Sequence, residues 1–281
     1  MILLRILLGT CVSGLLFGLG NSWAGVPAAG PIRLGACMLD LPQAKEIGLA
    51  GVEVRVGNAA DTLEIADPAV RQRYKQQMQE TGLVISSLMM GLLNSCPLAS
   101  DPRGPAWLEQ SIDAAQDLGA KVILVAFFGK GDLRQDGKVK PGDVDVIVER
   151  LKAAAPRAEK AGVILAIENT LSAEQNLEIV RRIGHPSVRV YYDVGNSTNN
   201  GYDVPAEIRL LKGQIASIHF KDNPSFLGEG KVAFPEIAKA IQEIGYQGWI
   251  VLETSSPTKD RVADARRNAD FTRRLLGLGG K

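Results

Sequence analysis

The sequence predicts an α/β fold, specifically a (β/α)8 barrel of the TIM type. Two observations support this prediction. Short runs of apolar and β-branched residues alternate with longer amphipathic segments, and eight such runs occur after the first 24 residues. The remaining chain of about 257 residues therefore provides roughly 32 residues for each strand and helix, which is the usual size of one unit of such a barrel. We expect residues 25–281 to form a single catalytic domain.

The eight apolar runs are predicted to be parallel strands. They occupy residues 32–38, 51–56, 83–90, 121–128, 163–169, 188–196, 215–222 and 248–255. Helices are predicted where apolar residues recur at three- and four-residue spacing, over 69–80, 106–118, 144–161, 173–183, 234–244 and 260–276. Several end at a glycine suited to a helix C-cap, namely Gly82, Gly119, Gly162 and Gly184. A doubly wound sheet is the competing fold, but RLGACMLDLP at the first strand is not a glycine-rich phosphate turn.

The first 24 residues are typical of an export signal. Arg5 precedes an apolar stretch over 6–19, and Ser22 and Ala24 are placed like a small-x-small cleavage site. We interpret residues 1–24 as a cleaved signal peptide, with an uncleaved anchor or a core helix as the alternatives. The mature protein is then periplasmic or secreted, without stable membrane association. Cys37 and Cys96 would lie in an oxidising compartment, where they could pair or remain thiols.

Composition excludes several classes of protein. The chain has 32 Lys+Arg against 31 Asp+Glu and no basic stripe, so nucleic acid is not an expected partner. Its 3 cysteines are too few for a disulfide framework, and its 2 histidines are too few for a His-rich metal site. The near-neutral charge leaves homo-oligomerisation open.

Four consecutive predicted strands carry a polar side chain near their ends. Glu168 lies in VILAIEN, Asp193 in VRVYYDVGN, His219 in IASIHFKD and Glu253 in GWIVLETS. Any one of them is more commonly a cap or a loop hydrogen bond. Together they should surround one point, because the carboxyl ends of barrel strands meet at one mouth, and buried acids there would repel one another without a cation. This ligand set suits one divalent cation, Mn²⁺ or Mg²⁺, with Co²⁺ or Zn²⁺ as alternatives.

These four segments, together with LGEGKVAF from Leu227, resemble the xylose isomerase-like TIM barrels. Within them they resemble the sugar phosphate isomerase/epimerase family, which includes the D-tagatose and D-psicose 3-epimerases. The resemblance covers essentially the whole mature chain. It implies that the four side chains bind one divalent cation, commonly Mn²⁺. It further implies that Glu168 and Glu253 are catalytic and exchange protons with a small-molecule sugar substrate.

Four further residues are weaker candidates for substrate binding. Asn196 stands three residues after the strand-six aspartate, where family members often carry a His or Asn, although a turn or cap is the alternative. Lys221 could hold a substrate hydroxyl or face solvent. Glu174 matches the spacing of a substrate-contacting acid in the epimerases, but SAEQN also resembles a helix start. Glu53 shares a strand face with Arg55 and could reach the mouth or form an ion pair.

The predicted function is that of a divalent-metal-dependent isomerase or epimerase acting through a metal-stabilised enediolate. An unphosphorylated sugar or keto-sugar is the expected substrate, because sugar phosphates are scarce outside the cytoplasmic membrane and no phosphate-cradling loop is evident. A lyase that eliminates the aglycone of 3-keto-glycosides is one alternative, since the same intermediate can expel a leaving group. A non-catalytic secreted sugar-binding barrel is the other.

Overall fold

A computed structural model describes residues 31–279. The predicted signal peptide, residues 1–24, lies outside these residues. Eight parallel strands form a closed barrel, which confirms the predicted fold. Each strand pairs with the next, and the eighth closes the barrel on the first, with Trp249 opposite Arg33. The strands are β1 Arg33–Ala36, β2 Gly51–Arg55, β3 Val84–Met90, β4 Val122–Phe127, β5 Ile164–Asn169, β6 Val188–Asp193, β7 Ile215–Phe220 and β8 Trp249–Leu252.

Helices cover the outside of the barrel. They are α1 Leu41–Glu46, α2 Pro68–Thr81, α3 Gly104–Leu118, α4 Pro141–Ala161, α5 Ala173–Ile183, α6 Val194–Asn199, α7 Val204–Leu211, α8 Phe234–Glu243 and α9 Arg261–Leu276. The four predicted glycine caps are confirmed, because each has a left-handed backbone at the end of its helix. The helices α1, α6 and α7 were not predicted, since 6 to 8 residues are too few to show a helical period. Within residues 31–279, no helix combines the length and apolar composition of a membrane span.

The two-residue period of the strands separates an inner and an outer apolar layer. In β5, Ile164 and Ala166 join the cluster inside the barrel, whereas Leu165 and Ile167 pack outward against the helices. Glu168 is the next residue on the inner face. The outer face of each strand is thus buried against the helices. The inner face can therefore carry polar residues at the carboxyl end of the strand.

Two register shifts interrupt the strand pairing within the barrel, one in β2–β3 and one in β6–β7. In the β2–β3 pair, the shift places Glu53 opposite Ser87. In the β6–β7 pair, it places Asp193 opposite His219. Such irregularities change the direction of side chains and are frequent beside functional sites. Here each shift brings together a pair of polar residues that face the barrel interior.

Candidate metal centre

The structure brings the four predicted ligands together at the carboxyl-terminal mouth. Glu168 lies in β5, His219 in β7, Asp193 is the last residue of β6, and Glu253 directly follows β8. One ligand atom from each residue lies within 4.8 Å of the other three. His219 Nδ1 lies 3.2 Å from Glu168 Oε1, 3.5 Å from Glu253 Oε2 and 3.9 Å from Asp193 Oδ2. The imidazole therefore points one nitrogen at three carboxylates.

The two oxygens of Asp193 have different environments. Oδ1 accepts a hydrogen bond of 2.7 Å from the backbone N–H of Asn196 and so caps the start of α6. Oδ2 is buried and accepts no hydrogen bond of normal geometry, although Lys221 Nζ lies 3.1 Å away. A buried carboxylate oxygen is unfavourable without a partner. This oxygen, the hard ligand set and the close grouping together fit a divalent cation.

The electrostatics of the cluster indicate a shortage of positive charge. Burial raises the pKa of Glu168 to about 8 and also raises the pKa of Asp193. Burial opposes ionisation of Glu253 as well, but the charges of His219 and Lys221 outweigh it and lower the pKa of that carboxyl. The carboxylates outnumber the nearby cationic side chains, so a bound divalent cation would stabilise their ionised forms.

Lys221 lies against the four candidate metal ligands rather than in solvent. Its Nζ is 2.6 Å from Glu253 Oε2, and its side chain is 15% exposed. Asn196, another predicted substrate contact, lies in α6, where its backbone N–H donates to the capping carboxylate of Asp193. Both residues are therefore next to the cluster, and Lys221 directs its charge into it.

Glu174 does not join the cluster. It is exposed in the first turn of α5 and lines a depression between α4 and α5. The physical reason is local: Ser172 and Gln175 form a capping box, so the helix begins immediately after β5 and the intervening acid faces outward. This position does not support the predicted substrate contact of Glu174.

Glu53 reaches the cluster at the barrel mouth through His219, which agrees with one of its two sequence interpretations. It is buried, and its carboxylate accepts hydrogen bonds from Ser87 Oγ at 2.6 Å and from the Tyr191 hydroxyl at 2.9 Å. Its other oxygen lies 3.1 Å from Nε2 of His219. It therefore lies beside the cluster, and no ion pair joins Glu53 to Arg55 among the described residues. Sequence reasoning missed Tyr191, although its position two residues before the strand-six aspartate predicts an inward side chain.

A cavity of about 1000 Å³ opens beside the cluster. Glu253 lines it from β8, and the remaining lining comes from the chain at and after β1, β2 and β3 and from α2. The lining contains one cationic side chain, Arg55, and four acidic ones, Asp40, Glu53, Glu64 and Glu253. The candidate metal ligands and proton-transferring residues thus come from β5 to β8. The cavity wall, in contrast, is built largely from the first half of the barrel.

The LGEGKVAF segment wraps around Asp222. The carboxylate accepts backbone N–H groups from Gly228, Gly230, Lys231 and Val232. A Cβ at Gly230 would lie 2.1 Å from Asp222 Oδ1, so glycine is required there by close approach. Asp222 thereby holds the loop that follows the histidine strand.

Both cysteines described by the structure are thiols. Cys37 is buried and lines the cavity, whereas Cys96 is half-buried. Burial, with the nearby charges of Glu53 and Glu253, raises the pKa of Cys37 well above its ordinary value. Cys37 is therefore a neutral apolar contact at the cavity wall.

Comparison with known proteins agrees with the fold. The model of the xylose isomerase-like TIM barrel family matches residues 41–275. The L-ribulose-5-phosphate 3-epimerase of Escherichia coli is 27% identical over 273 residues, covering 88% of this chain and 92% of that protein. The D-allulose 3-epimerase of Methylomonas sp. superposes with a TM-score of 0.74 at 16% identity, covering 89% of this chain and 99% of that one. The 3-keto-D-glucoside 4-epimerase of E. coli superposes with a TM-score of 0.73 at 16% identity, covering 87% of this chain and 99% of that one.

Proposed function

Because the chain belongs to the xylose isomerase-like TIM barrel family and is an enzyme, we propose that it is a divalent-metal-dependent epimerase or isomerase of an unphosphorylated sugar or keto-sugar. One observation carries this proposal. Two glutamates, Glu168 and Glu253, converge on one set of cation ligands from strands that are separated by two others. Their carboxylates therefore approach the centre from different directions, as inversion at a carbon atom requires.

The proposed reaction is a proton transfer at the carbon beside a carbonyl. A divalent cation held by Glu168, Asp193, His219 and Glu253 would supply Lewis acidity that stabilises negative charge on the substrate oxygens. One glutamate, ionised, accepts the proton from carbon; the C–H electron pair forms a C=C bond and the π pair of the carbonyl moves to its oxygen. The other glutamate, which starts protonated, donates its proton to the opposite face of that carbon as the carbonyl forms again. Lys221 orients a substrate hydroxyl and keeps Glu253 ionised by its charge.

The charge of the cavity supports an unphosphorylated substrate. Its described lining carries four carboxylates against the single guanidinium of Arg55, so it would repel a phosphate dianion. The export signal expected at residues 1–24 also favours an unphosphorylated substrate. On the basis of that signal we propose a periplasmic or secreted location. The E. coli relative, in contrast, is named for a phosphorylated sugar, so phosphorylated and free ketoses must be compared directly.

We propose Mn²⁺ as the cation, because three carboxylates and one imidazole form a predominantly hard ligand set. Protein stripped with chelator and reloaded separately with Mn²⁺, Mg²⁺, Co²⁺ or Zn²⁺ tests this assignment. We expect turnover to be restored best by Mn²⁺. Full activity of the stripped protein, with no residual metal by elemental analysis, would contradict the metal dependence.

Solvent-proton exchange tests the reaction. Metal-loaded protein is incubated in deuterated water with D-fructose, D-psicose, L-ribulose, L-ribulose 5-phosphate and a 3-keto-glucoside, and deuterium is located by NMR. We expect incorporation beside the carbonyl of an unphosphorylated substrate. Release of an aglycone would instead identify a lyase, binding without exchange would identify a sugar-binding barrel, and exchange confined to the phosphorylated sugar would overturn the substrate assignment.

A matched pair of variants tests the catalytic residues. Glu253→Gln removes one proton-transferring carboxylate and should reduce exchange by about 10³-fold. Glu174→Gln makes the same chemical change on the exposed surface of α5 and should leave exchange within twofold of the unmodified protein. Equal effects of the two substitutions would contradict the assignment of Glu253.

A further inference from the structure

The imidazole of His219 lies between two acidic environments. On one side, Nδ1 faces the cluster, with Glu168 Oε1 at 3.2 Å. On the other side, Nε2 lies 3.1 Å from Glu53 Oε1, and both side chains are fully buried. A neutral imidazole carries a proton on one nitrogen and a lone pair on the other. Only the form with its proton on Nε2 can present the Nδ1 lone pair to a cation in the cluster.

Glu53 is itself held in place by two donors. Ser87 Oγ and the Tyr191 hydroxyl both donate to Glu53 Oε2, at 2.6 and 2.9 Å, and both residues are buried. The register shift in the β2–β3 pair is what sets Ser87 opposite Glu53. The remaining oxygen, Oε1, is therefore directed at Nε2 of His219. The Tyr191 ring also packs against the imidazole, with 4.4 Å between ring centroids.

We propose that Glu53 is a positioning residue that keeps the proton of His219 on Nε2 and so directs the Nδ1 lone pair to the bound cation. This inference rests on the metal site of the proposed function. Ser87 and Tyr191 fix the carboxylate, and the carboxylate fixes the imidazole. Carboxylate partners of this kind orient metal-binding histidines and raise their basicity, and their loss commonly weakens metal binding 10- to 100-fold.

Cation binding to a nearly isosteric variant tests the proposal. In Glu53→Gln, the amide can present an N–H to Nε2, which favours the wrong tautomer of His219. We expect the Kd for Mn²⁺, measured by calorimetric titration, to rise about 10- to 100-fold. Glu64→Gln is the matched control, because Glu64 lines the same cavity but is exposed. It removes the same charge and should change the Kd less than about twofold.

The protonation of the imidazole gives a readout that a general structural defect would not reproduce. The chain contains 2 histidines, so ¹⁵N spectra of untagged, Mg²⁺-loaded protein are readily assigned with a His185→Gln variant. We expect a protonated Nε2 on His219 in the unmodified protein and loss of that form in Glu53→Gln. If this variant does not fold, Tyr191→Phe with Ser87→Ala keeps the carboxylate but releases it, and should raise the Kd about 3- to 10-fold.

The possible failures are distinguishable. If the unmodified protein binds no divalent cation, the proposed function fails and this inference fails with it. If the unmodified protein binds Mn²⁺ tightly and Glu53→Gln binds it equally well with the same tautomer, the role of Glu53 alone is overturned. Equal weakening by Glu64→Gln would likewise show a general effect of charge rather than positioning.

Discussion

Lys221 forms an ion pair with Glu253 between the neighbouring ends of β7 and β8, with 2.6 Å between Nζ and Oε2. The ammonium also lies 3.1 Å from Asp193 Oδ2, so it supplies positive charge to two of the four proposed cation ligands. Lys221 and a bound cation therefore neutralise some of the same oxygens. This relationship leads to a prediction about stability in the presence and absence of metal.

Lys221→Met should destabilise chelator-treated protein by about 2 kcal/mol, because two carboxylates lose their counter-charge. The expected loss is below that of a fully buried pair, since the Glu253 side chain is 31% exposed. Saturating Mg²⁺ should reduce the difference, because the ion takes over the neutralisation. Urea unfolding with chelator and with Mg²⁺ measures both values. An equal loss of stability under the two conditions would show that Lys221 contributes through packing alone.

A second prediction concerns the close approach of α6 to the same lysine. A Cβ at Gly195 would lie 2.3 Å from the Lys221 Cγ atom and 2.6 Å from its backbone oxygen. Gly195→Ala should therefore lower the free energy of unfolding by about 2 kcal/mol and displace the ammonium from the cluster. Thermal unfolding and turnover measure the two effects.

Gly142→Ala is the control for Gly195→Ala. Gly142 is also the second residue of a helix, but a Cβ there would meet nothing within 4 Å. Alanine at this position should leave stability unchanged or raise it by about 0.5 kcal/mol, because alanine favours the helix. Equal destabilisation by both substitutions would exclude the contact with Lys221 as the cause.

A third prediction concerns acid stability away from the active site. Hydrogen bonds and charge from Arg103 lower the pKa of Asp101 to about 2, with 2.7 Å between Arg103 Nη2 and Asp101 Oδ2. Because the folded-state pKa lies below the unfolded value of about 3.9, the ionised pair stabilises the fold above that value. This contribution is lost as the pH falls from about 4 towards 2.

The corresponding variant is Asp101→Asn. It should be less stable than the unmodified protein near pH 7, and the difference in unfolding free energy should shrink below about pH 4. Urea titrations at a series of pH values measure this difference. A difference that remains constant down to about pH 3 would contradict the depressed pKa of Asp101.

A fourth prediction separates neutral from anionic substrates. Arg55 is exposed at the end of β2 and is the cation of the described cavity lining. For a neutral sugar, Arg55→Met should raise KM less than about fivefold, because an uncharged hydroxyl gains little from the guanidinium. For a phosphorylated sugar the loss should be about 10- to 100-fold. This prediction is tested by measuring KM for a free ketose and for its phosphate, with the unmodified protein and with Arg55→Met.

The barrel and its mouth could be predicted from the sequence because each depends on short-range patterns. The two-residue period of β5 placed Glu168 on the inner face, and the repeat of strand and helix brought it near Asp193, His219 and Glu253. The role of Glu53 could not be predicted in this way. Its partners come from β3, β6 and β7, and its register depends on an irregularity that alternation of residue types does not reveal.

Local capping explains the other differences. Glu174 has a suitable spacing, but the capping box of Ser172 and Gln175 begins α5 directly after β5 and leaves this acid exposed in the first turn. Strand six ends at Asp193 rather than at Asn196, because the aspartate begins α6 by capping it. In strand six, the hydrogen bond from the Asn196 backbone N–H to Asp193 thus overrides the extended apolar pattern.

The origin of the cavity wall in the first half of the barrel has an evolutionary consequence. Segments at 37–41, 55–59 and 91–95 line the cavity, whereas the proposed cation ligands are carried by later strands. Mutations in these early loops can alter which molecules enter while the reaction centre stays intact. Libraries randomised in the exposed parts of those loops, and not around β5 to β8, are thus the economical route to new specificities on this scaffold.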